Sequence, residues 1–251
     1  MTEDSSTFAL VTGANRGIGF AVARQLAERG LTVLVAARSP ERAAAAAERL
    51  RAAGAAARPL TLDVTDPSGV REAARRVDAW CGRLDVLVNN AGISGAVDRR
   101  PPSAAAPEEV GAVLGTNVLG VLAVTNAMLP LLRRSARARI VNVSSGLGSL
   151  DRQTDPGHYV SALPPMAAYP VSKAALNMLT VQYARELRPE GILVNAAAPG
   201  ACATDFTSGL PFARDVTRTA DEGAAVVVRL ATLGPDGPTG GFFEDDGPVR
   251  W

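Results

Sequence analysis

Lysine is almost absent from this chain of 251 residues. Of the 26 lysine and arginine residues, only Lys173 is a lysine. In a sequence rich in alanine and arginine, arginine has replaced lysine wherever charge alone suffices. We therefore expect Lys173 to do something that a guanidinium cannot, since its ammonium is a compact point charge with three rotatable donors.

Histidine and cysteine are also scarce. His158 is the only histidine, which excludes a histidine-rich metal site. Cys81 and Cys202 match no metal-binding spacing, so both are interpreted as structural thiols. The formal net charge of +1 gives no reason to expect nucleic acid or an anionic membrane as a partner.

Long apolar runs and a leader pattern are missing as well. The first six residues are polar and acidic, without the features of a signal peptide, and no apolar run reaches the length of a membrane span. Hydrophobic residues make up 47% of the chain, enough for a sizeable core. These observations predict a single cytoplasmic domain that does not enter a membrane.

Short apolar runs alternate with helical patterns along the whole chain. This alternation predicts an α/β class and a single-domain Rossmann fold, in which a doubly wound, parallel, seven-stranded sheet carries helices on both faces. The predicted strands cover residues 8–11, 31–37, 59–62, 84–88, 140–146, 191–196 and 241–243.

A glycine-rich turn follows the first strand and opens a helix. It reads Gly13-Ala14-Asn15-Arg16-Gly17-Ile18-Gly19. Glycines let the backbone approach phosphate, and the helix N–H groups meet its negative charge, so the segment predicts a dinucleotide site. The spacing differs from the common G-x-G-x-x-G pattern, and the alternative is an ordinary glycine-rich turn.

The end of the second strand bears on the choice of cofactor. A carboxylate there would favour NAD, whereas arginine accommodates the 2′-phosphate of NADP. The chain has Arg38 at this point and Arg16 in the glycine turn, which favours NADPH/NADP+ unless both are only surface charges. Asp63, followed by Val64 at the third strand's end, is placed to accept from adenine or to cap the next turn.

Polar residues also follow the fourth and fifth strands. Asn90, Ala91 and Gly92 suit backbone contact with a ribose or nicotinamide, or else stabilise the sheet edge. Ser145 is placed to donate to a substrate carbonyl, with Ser144 as the alternative. Asn117, amid apolar helix residues, needs partners: it either anchors a water toward Lys173 or packs against backbone.

Tyr169 and Lys173 are four residues apart, so a helix would place them on one face. An ammonium beside the phenol would lower its pKa and make it a usable acid/base. The Gly- and Pro-containing loop over 147–167 precedes this pair, and we expect it to form a wall of the substrate pocket. His158, within that loop, is either a second acid/base or a surface residue.

A rigid turn closes the predicted site. Pro199 and Gly200 follow the sixth strand, and the turn would present Thr204 to the nicotinamide amide. Residues 204–218 have the pattern of a mobile lid. Together with residues 94–107 and 147–167, they are expected to shape the substrate pocket.

Taken in order over the whole chain, these motifs resemble the short-chain dehydrogenase/reductase family. The long interval between Ser145 and Tyr169, together with the glycine turn, is most similar to its carbonyl-reductase branch. The resemblance implies a catalytic tetrad of Asn117, Ser145, Tyr169 and Lys173. It implies that Tyr169 protonates the substrate oxygen, Ser145 positions it, Lys173 holds the ribose and lowers the Tyr169 pKa, and Asn117 connects a water.

The expected function is NADPH-dependent reduction of a small-molecule ketone or aldehyde. The alternatives are an NAD-dependent alcohol dehydrogenase and a non-redox sensor or cyclase on the same fold. In this family the helices of Asn117 and Tyr169 often form the dimer contact. The nearby insertion argues against the usual tetramer, so a homodimer or a monomer is expected.

Overall fold

The computed structural model describes residues 7–95, 100–208 and 213–251. Within these ranges the strands are β1 (Phe8–Thr12), β2 (Thr32–Ala37), β3 (Ala57–Thr61), β4 (Val86–Asn89), β5 (Arg139–Val143), β6 (Leu193–Ala197), β7 (Phe242–Glu244) and β8 (Gly247–Pro248). The helices are α1 (Gly17–Glu28), α2 (Pro40–Ala52), α3 (Pro67–Cys81), α4 (Pro107–Leu114), α5 (Gly120–Leu132), α6 (Leu150–Thr154), α7 (Tyr169–Leu187) and α8 (Ala220–Ala231).

All the strands belong to one sheet, in the order β3-β2-β1-β4-β5-β6-β7-β8. The first seven run parallel, as predicted. The sequence missed β8, which pairs antiparallel with β7, because two residues that include a proline are too short to produce a strand pattern. The direction of winding reverses between β1 and β4, and in such sheets ligands bind at the carboxyl ends of the strands there.

The parallel strands β1 to β6 contribute side chains to two cores, one on each face of the sheet. Val11, Val35 and Val88 face a core shared with α1, α2 and α8. Leu10 and Leu34 face the opposite core, shared with α3, α5 and α7. Because both faces are covered, the strands read as continuous apolar runs.

The chain from α4 to α5 forms one continuous helix over Pro107–Leu132, interrupted by a π-helical turn at Gly115–Leu119. By length and composition alone this helix could cross a bilayer, although Thr116, Asn117, Thr125 and Asn126 interrupt its apolar residues. Its mean hydropathy over an 18-residue window is 1.7, which passes the test of length and composition. About 44% of that window is buried inside the domain, and α5 packs on α3, as expected of a core helix.

The segment over 147–167 is not the irregular loop that its composition suggested. It contains α6 and a 3₁₀ turn over Tyr159–Ala162. Ser149 caps α6, and Arg152 forms a bidentate ion pair with Glu244 of β7 at 2.5 and 2.9 Å. The cap is local, whereas the ion pair joins residues 92 positions apart, which local spacing does not encode.

Candidate active site

The glycine turn joins β1 to α1 at the reversal point of the sheet. Gly13 and Gly17 adopt φ angles of 64° and 56°, which favour glycine. Gly19 is constrained by space, since a Cβ there would lie 2.4 Å from Asn90 Nδ2. The Arg16 side chain does not cap α1, and the first turn of that helix contains no acidic residue. This narrow cradle and its exposed helix N–H groups fit a dinucleotide phosphate.

Thr12 ties this turn to the end of β4, and it is a site residue that sequence reasoning left out. Its hydroxyl accepts hydrogen bonds from the backbone N–H groups of Asn90 and Ala91, both at 2.9 Å. The Asn90 side chain in turn donates to the Thr12 carbonyl at 2.8 Å. A buried threonine at a strand end, directly before the first glycine, was the available signal. Asn90 therefore holds the turn in shape, the second of its two predicted roles.

The residues predicted to bind the adenosine part of the cofactor make fewer contacts with one another. Asp63 accepts from the backbone N–H and the hydroxyl of Thr65 at 2.9 and 2.7 Å, so it caps the turn. Its contact with adenine stays a prediction. Val64 packs against Gly120 of the long helix. Arg38 is exposed and has no ion-pair or hydrogen-bond partner within the described residues, which leaves its guanidinium available to an anion.

Three side chains of the predicted tetrad converge at the start of α7. Tyr169 is the first residue of the helix, and the Lys173 Nζ lies 5.5 Å from the centroid of its ring. The Ser145 side chain lies close enough to the phenol of Tyr169 to lower its pKa. The neighbouring Ser144 donates instead to Asn177 Oδ1 at 2.6 Å and is buried, so Ser145 is the serine in contact with the phenol.

Burial controls the ionisation of this pair. It raises the pKa of Tyr169 to about 12, and the hydrogen bond with Ser145 offsets only part of that effect. It also lowers the pKa of Lys173 to about 8. The expectation that Lys173 lowers the Tyr169 pKa is therefore not met in this structure. Loss of solvation is the dominant effect on the Tyr169 pKa. The Lys173 ammonium donates to the Val143 carbonyl at 2.7 Å.

Asn117 lies in the π-helical turn and is 1% exposed. Its Oδ1 accepts from the Ile93 N–H at 2.9 Å, and its Nδ2 donates to the Ile93 carbonyl and to Ser172 Oγ at 2.8 and 3.0 Å. The side chain thus secures the backbone beside Gly92 and the start of α7. A water link to Lys173 stays a prediction.

The turn after β6 closes over the glycine turn. Gly200 has a φ of 74°, and the Pro199 carbonyl accepts from Arg218 Nε at 2.7 Å. Thr204 lies above the cradle, with its Cγ2 at 3.5 Å from where a Cβ on Gly17 would be. Part of the predicted lid over 204–218 and part of the 94–107 loop lie outside the described residues.

His158 does not reach the tetrad by any contact in the described residues. Its Nδ1 accepts from the Val160 N–H at 3.2 Å, and its ring lies beside Tyr159, with centroids 4.8 Å apart. The ring caps a local turn. The ring is half-buried, so His158 is not the fully exposed surface residue of the second prediction, and a role as a second acid/base stays a prediction.

Fold and site together define a Rossmann-fold oxidoreductase. The sequence profile described as short chain dehydrogenase matches residues 7–214, so the chain belongs to the short-chain dehydrogenase/reductase family. A short-chain dehydrogenase of Penicillium roqueforti is 41% identical over 242 residues, which is 94% of this chain and 93% of that protein.

The predicted likeness to carbonyl reductases is also confirmed. Mouse carbonyl reductase [NADPH] 1 is 34% identical over 284 aligned positions, with 98% of this chain and 99% of that protein covered. The crystal structure of the NADPH-bound carbonyl reductase from chicken fatty liver superimposes with a TM-score of 0.83 at 29% identity, covering 98% of this chain and 99% of that one.

Proposed function

We propose that the protein is an NADPH-dependent reductase of ketones or aldehydes. The observation that carries the proposal is the cluster of Ser145, Tyr169 and Lys173 beside the glycine turn. At neutral pH a phenol with a pKa of about 12 retains its proton, as a proton donor in reduction must.

The chain offers a complete set of residues for the cofactor. The turn from Gly13 to Gly19 and the first N–H groups of α1 would hold the pyrophosphate. Arg38 and Arg16 would meet the 2′-phosphate, and the backbone of Gly92 and Thr204 would border the nicotinamide end. When bound, NADPH supplies the hydride.

The protein residues would then act on the substrate oxygen. The hydroxyls of Ser145 and Tyr169 would orient and polarise a carbonyl oxygen. Tyr169 transfers its phenolic proton to that oxygen as negative charge develops there. Lys173, held by the Val143 carbonyl, stabilises the resulting tyrosinate through its charge.

The test is the absorbance of reduced nicotinamide in the presence of a panel of ketones and aldehydes. Tyr169→Phe should abolish turnover while it leaves the Kd for NADPH within about twofold, because the phenyl ring keeps its packing. Tyr159→Phe is the matched control, since this tyrosine is 69% exposed, and it should retain full activity. Turnover by Tyr169→Phe at the wild-type rate would refute the assignment. Failure of the wild type on every carbonyl tested, with NADPH bound, would favour a non-redox role.

A further inference from the structure

The residues after Thr204 connect the two ends of the proposed site. Asp205 Oδ2 lies 2.5 Å from Arg16 Nη1, so it occupies the guanidinium that we assign to the cofactor's 2′-phosphate. The next residue, Phe206, packs its ring on Tyr169, with centroids 5.7 Å apart and planes tilted by 56°. Adjacent side chains thus contact the cofactor-selecting arginine and the proposed proton donor.

These two side chains belong to one small, internally bonded unit. The backbone N–H groups of Thr207 and Ser208 both donate to the Thr204 carbonyl at 3.0 Å, which closes a helical turn. A bond from the Ala203 N–H to the Arg218 carbonyl, at 2.7 Å, pins the base of the segment. A displacement of Asp205 would therefore carry Phe206 with it.

A phosphate group can replace the Asp205 carboxylate as the partner of Arg16. The two side chains are 63% and 68% exposed, and exposed ion pairs contribute only about 0.2–1 kcal/mol. A phosphate dianion carries more charge than a carboxylate and accepts a bidentate guanidinium well. It would also repel Asp205. The phosphate should therefore displace the carboxylate from Arg16.

We propose that Asp205 couples recognition of the 2′-phosphate to the uncovering of Tyr169. Without phosphate, Asp205 holds Arg16 and keeps Phe206 over the phenol. With phosphate on Arg16, the turn is released and Phe206 leaves the substrate's approach to Tyr169. Asp205 and Phe206 together act as a latch over Tyr169. Asp205 is then a determinant of cofactor specificity, because NADH has no 2′-phosphate and leaves the latch in place. The proposal rests on the NADP(H) site proposed above.

The direct test replaces Phe206 with a fluorescent reporter. It uses a ligand that can bind Arg16 but is too short to contact the reporter. Adenosine 2′,5′-bisphosphate carries the 2′-phosphate but has no nicotinamide to reach Tyr169. In Phe206→Trp, it should change the emission of the new tryptophan, whereas 5′-AMP should not. The same titrations of the wild type correct for Trp80 and Trp251. In the double variant Asp205→Asn/Phe206→Trp, the emission should already be changed and should not respond to ligand.

Calorimetry on the same samples separates the two proposals. If the bisphosphate binds but leaves the tryptophan emission unchanged, the latch is refuted and the cofactor site stands. If the bisphosphate does not bind, the NADP(H) site itself fails, and the latch fails with it.

A second measurement does not depend on the tryptophan. Asp205→Asn should tighten NADPH binding about two- to fivefold and leave NADH binding unchanged. Asp221→Asn is the matched control. Asp221 lines the same open depression of about 580 Å³, but pairs with Arg24 at 2.8 Å, so its loss should change neither affinity. In an Arg16→Gln background the effect of Asp205→Asn should vanish. A gain that persists there, or one that Asp221→Asn reproduces, would show a general charge effect and refute the latch.

Discussion

Lys173 Nζ lies 5.5 Å from the centroid of the Tyr169 ring and donates a 2.7 Å hydrogen bond to the Val143 carbonyl. The lysine is 5% exposed, and its ammonium is held by backbone of β5 rather than by a carboxylate. A buried charge without a counterion weakens the folded state. The site therefore maintains a cation at a cost in stability.

That cost should depend on pH. The pKa of Lys173 is about 8 in the folded state, against 10.5 for an unperturbed lysine, so the unfolded chain binds more protons between these values, and stability rises with pH there. Below pH 8 the full penalty remains, on the order of 3 kcal/mol. Lys173→Met removes it at every pH. The difference in unfolding free energy between Lys173→Met and the wild type, measured with urea from pH 7 to pH 10, should shift steadily in favour of the wild type as pH rises. A difference that stays constant would contradict the burial argument.

Gly19→Ala should damage both the turn and the cofactor site. The added Cβ would lie 2.4 Å from Asn90 Nδ2 and 2.5 Å from the Gly13 carbonyl oxygen. We expect a loss of about 1–3 kcal/mol in unfolding free energy and at least a tenfold weaker Kd for NADPH. Gly111→Ala in α4 is the control, because a Cβ there meets nothing within 4 Å and the backbone is helical. It should be neutral or slightly stabilising. Equal behaviour of the two variants would show that the turn is not close-packed.

Arg152→Gln tests the prediction that the segment over 147–167 forms a wall of the substrate pocket. It breaks the bidentate pair that ties α6 to Glu244, where the two side chains are 19% and 31% exposed. We expect a several-fold higher KM for bulky carbonyl substrates, an unchanged Kd for NADPH, and little change for the smallest substrates. Asp151→Asn is the matched control on the same helix, since its contact with Arg250 is 3.8 Å long. An unchanged KM for all substrates in Arg152→Gln would remove α6 from the pocket wall.

Arg38→Ala should reduce the preference for NADPH over NADH by about tenfold or more, a loss of ~1.4 kcal/mol in selectivity. The exposed guanidinium at the end of β2 has no competing partner in the described part of the chain, so all of its charge is available to the 2′-phosphate. Arg137→Ala provides the control. Arg137 precedes β5, so it lies near the amino ends of the parallel strands, whereas Arg38 follows the carboxyl end of β2. The loss of Arg137 should leave both affinities unchanged. If Arg38→Ala keeps the preference, the phosphate is recognised elsewhere.

The order of strands and helices and the position of the site were predictable because they depend on local pattern. Apolar runs predict the strands, and the strand–glycine–helix junction predicts the turn of the dinucleotide site. The four-residue spacing of Tyr169 and Lys173 predicts that they lie on one face of a helix. The rule that parallel strands end at one edge of a sheet places Ser145, which follows β5, at the same edge as the glycine turn after β1.

The remaining features depend on contacts between distant residues. The ion pair of Arg16 with Asp205 joins positions that no spacing relates. The high pKa of Tyr169 follows from burial, which the sequence does not state. The Asn117 side chain forms hydrogen bonds with the Ile93 backbone. The helix α6, in a segment of loop-like composition, is tied to the sheet by the ion pair of Arg152 with Glu244.

The central claim, a site built for NADPH, is tested most directly by titrating the purified wild-type protein with NADPH and NADH in parallel and following the fluorescence of the reduced nicotinamide. We expect NADPH to bind at least about tenfold more tightly than NADH, a difference of ~1.4 kcal/mol. Equal affinities, or tighter binding of NADH, would contradict it.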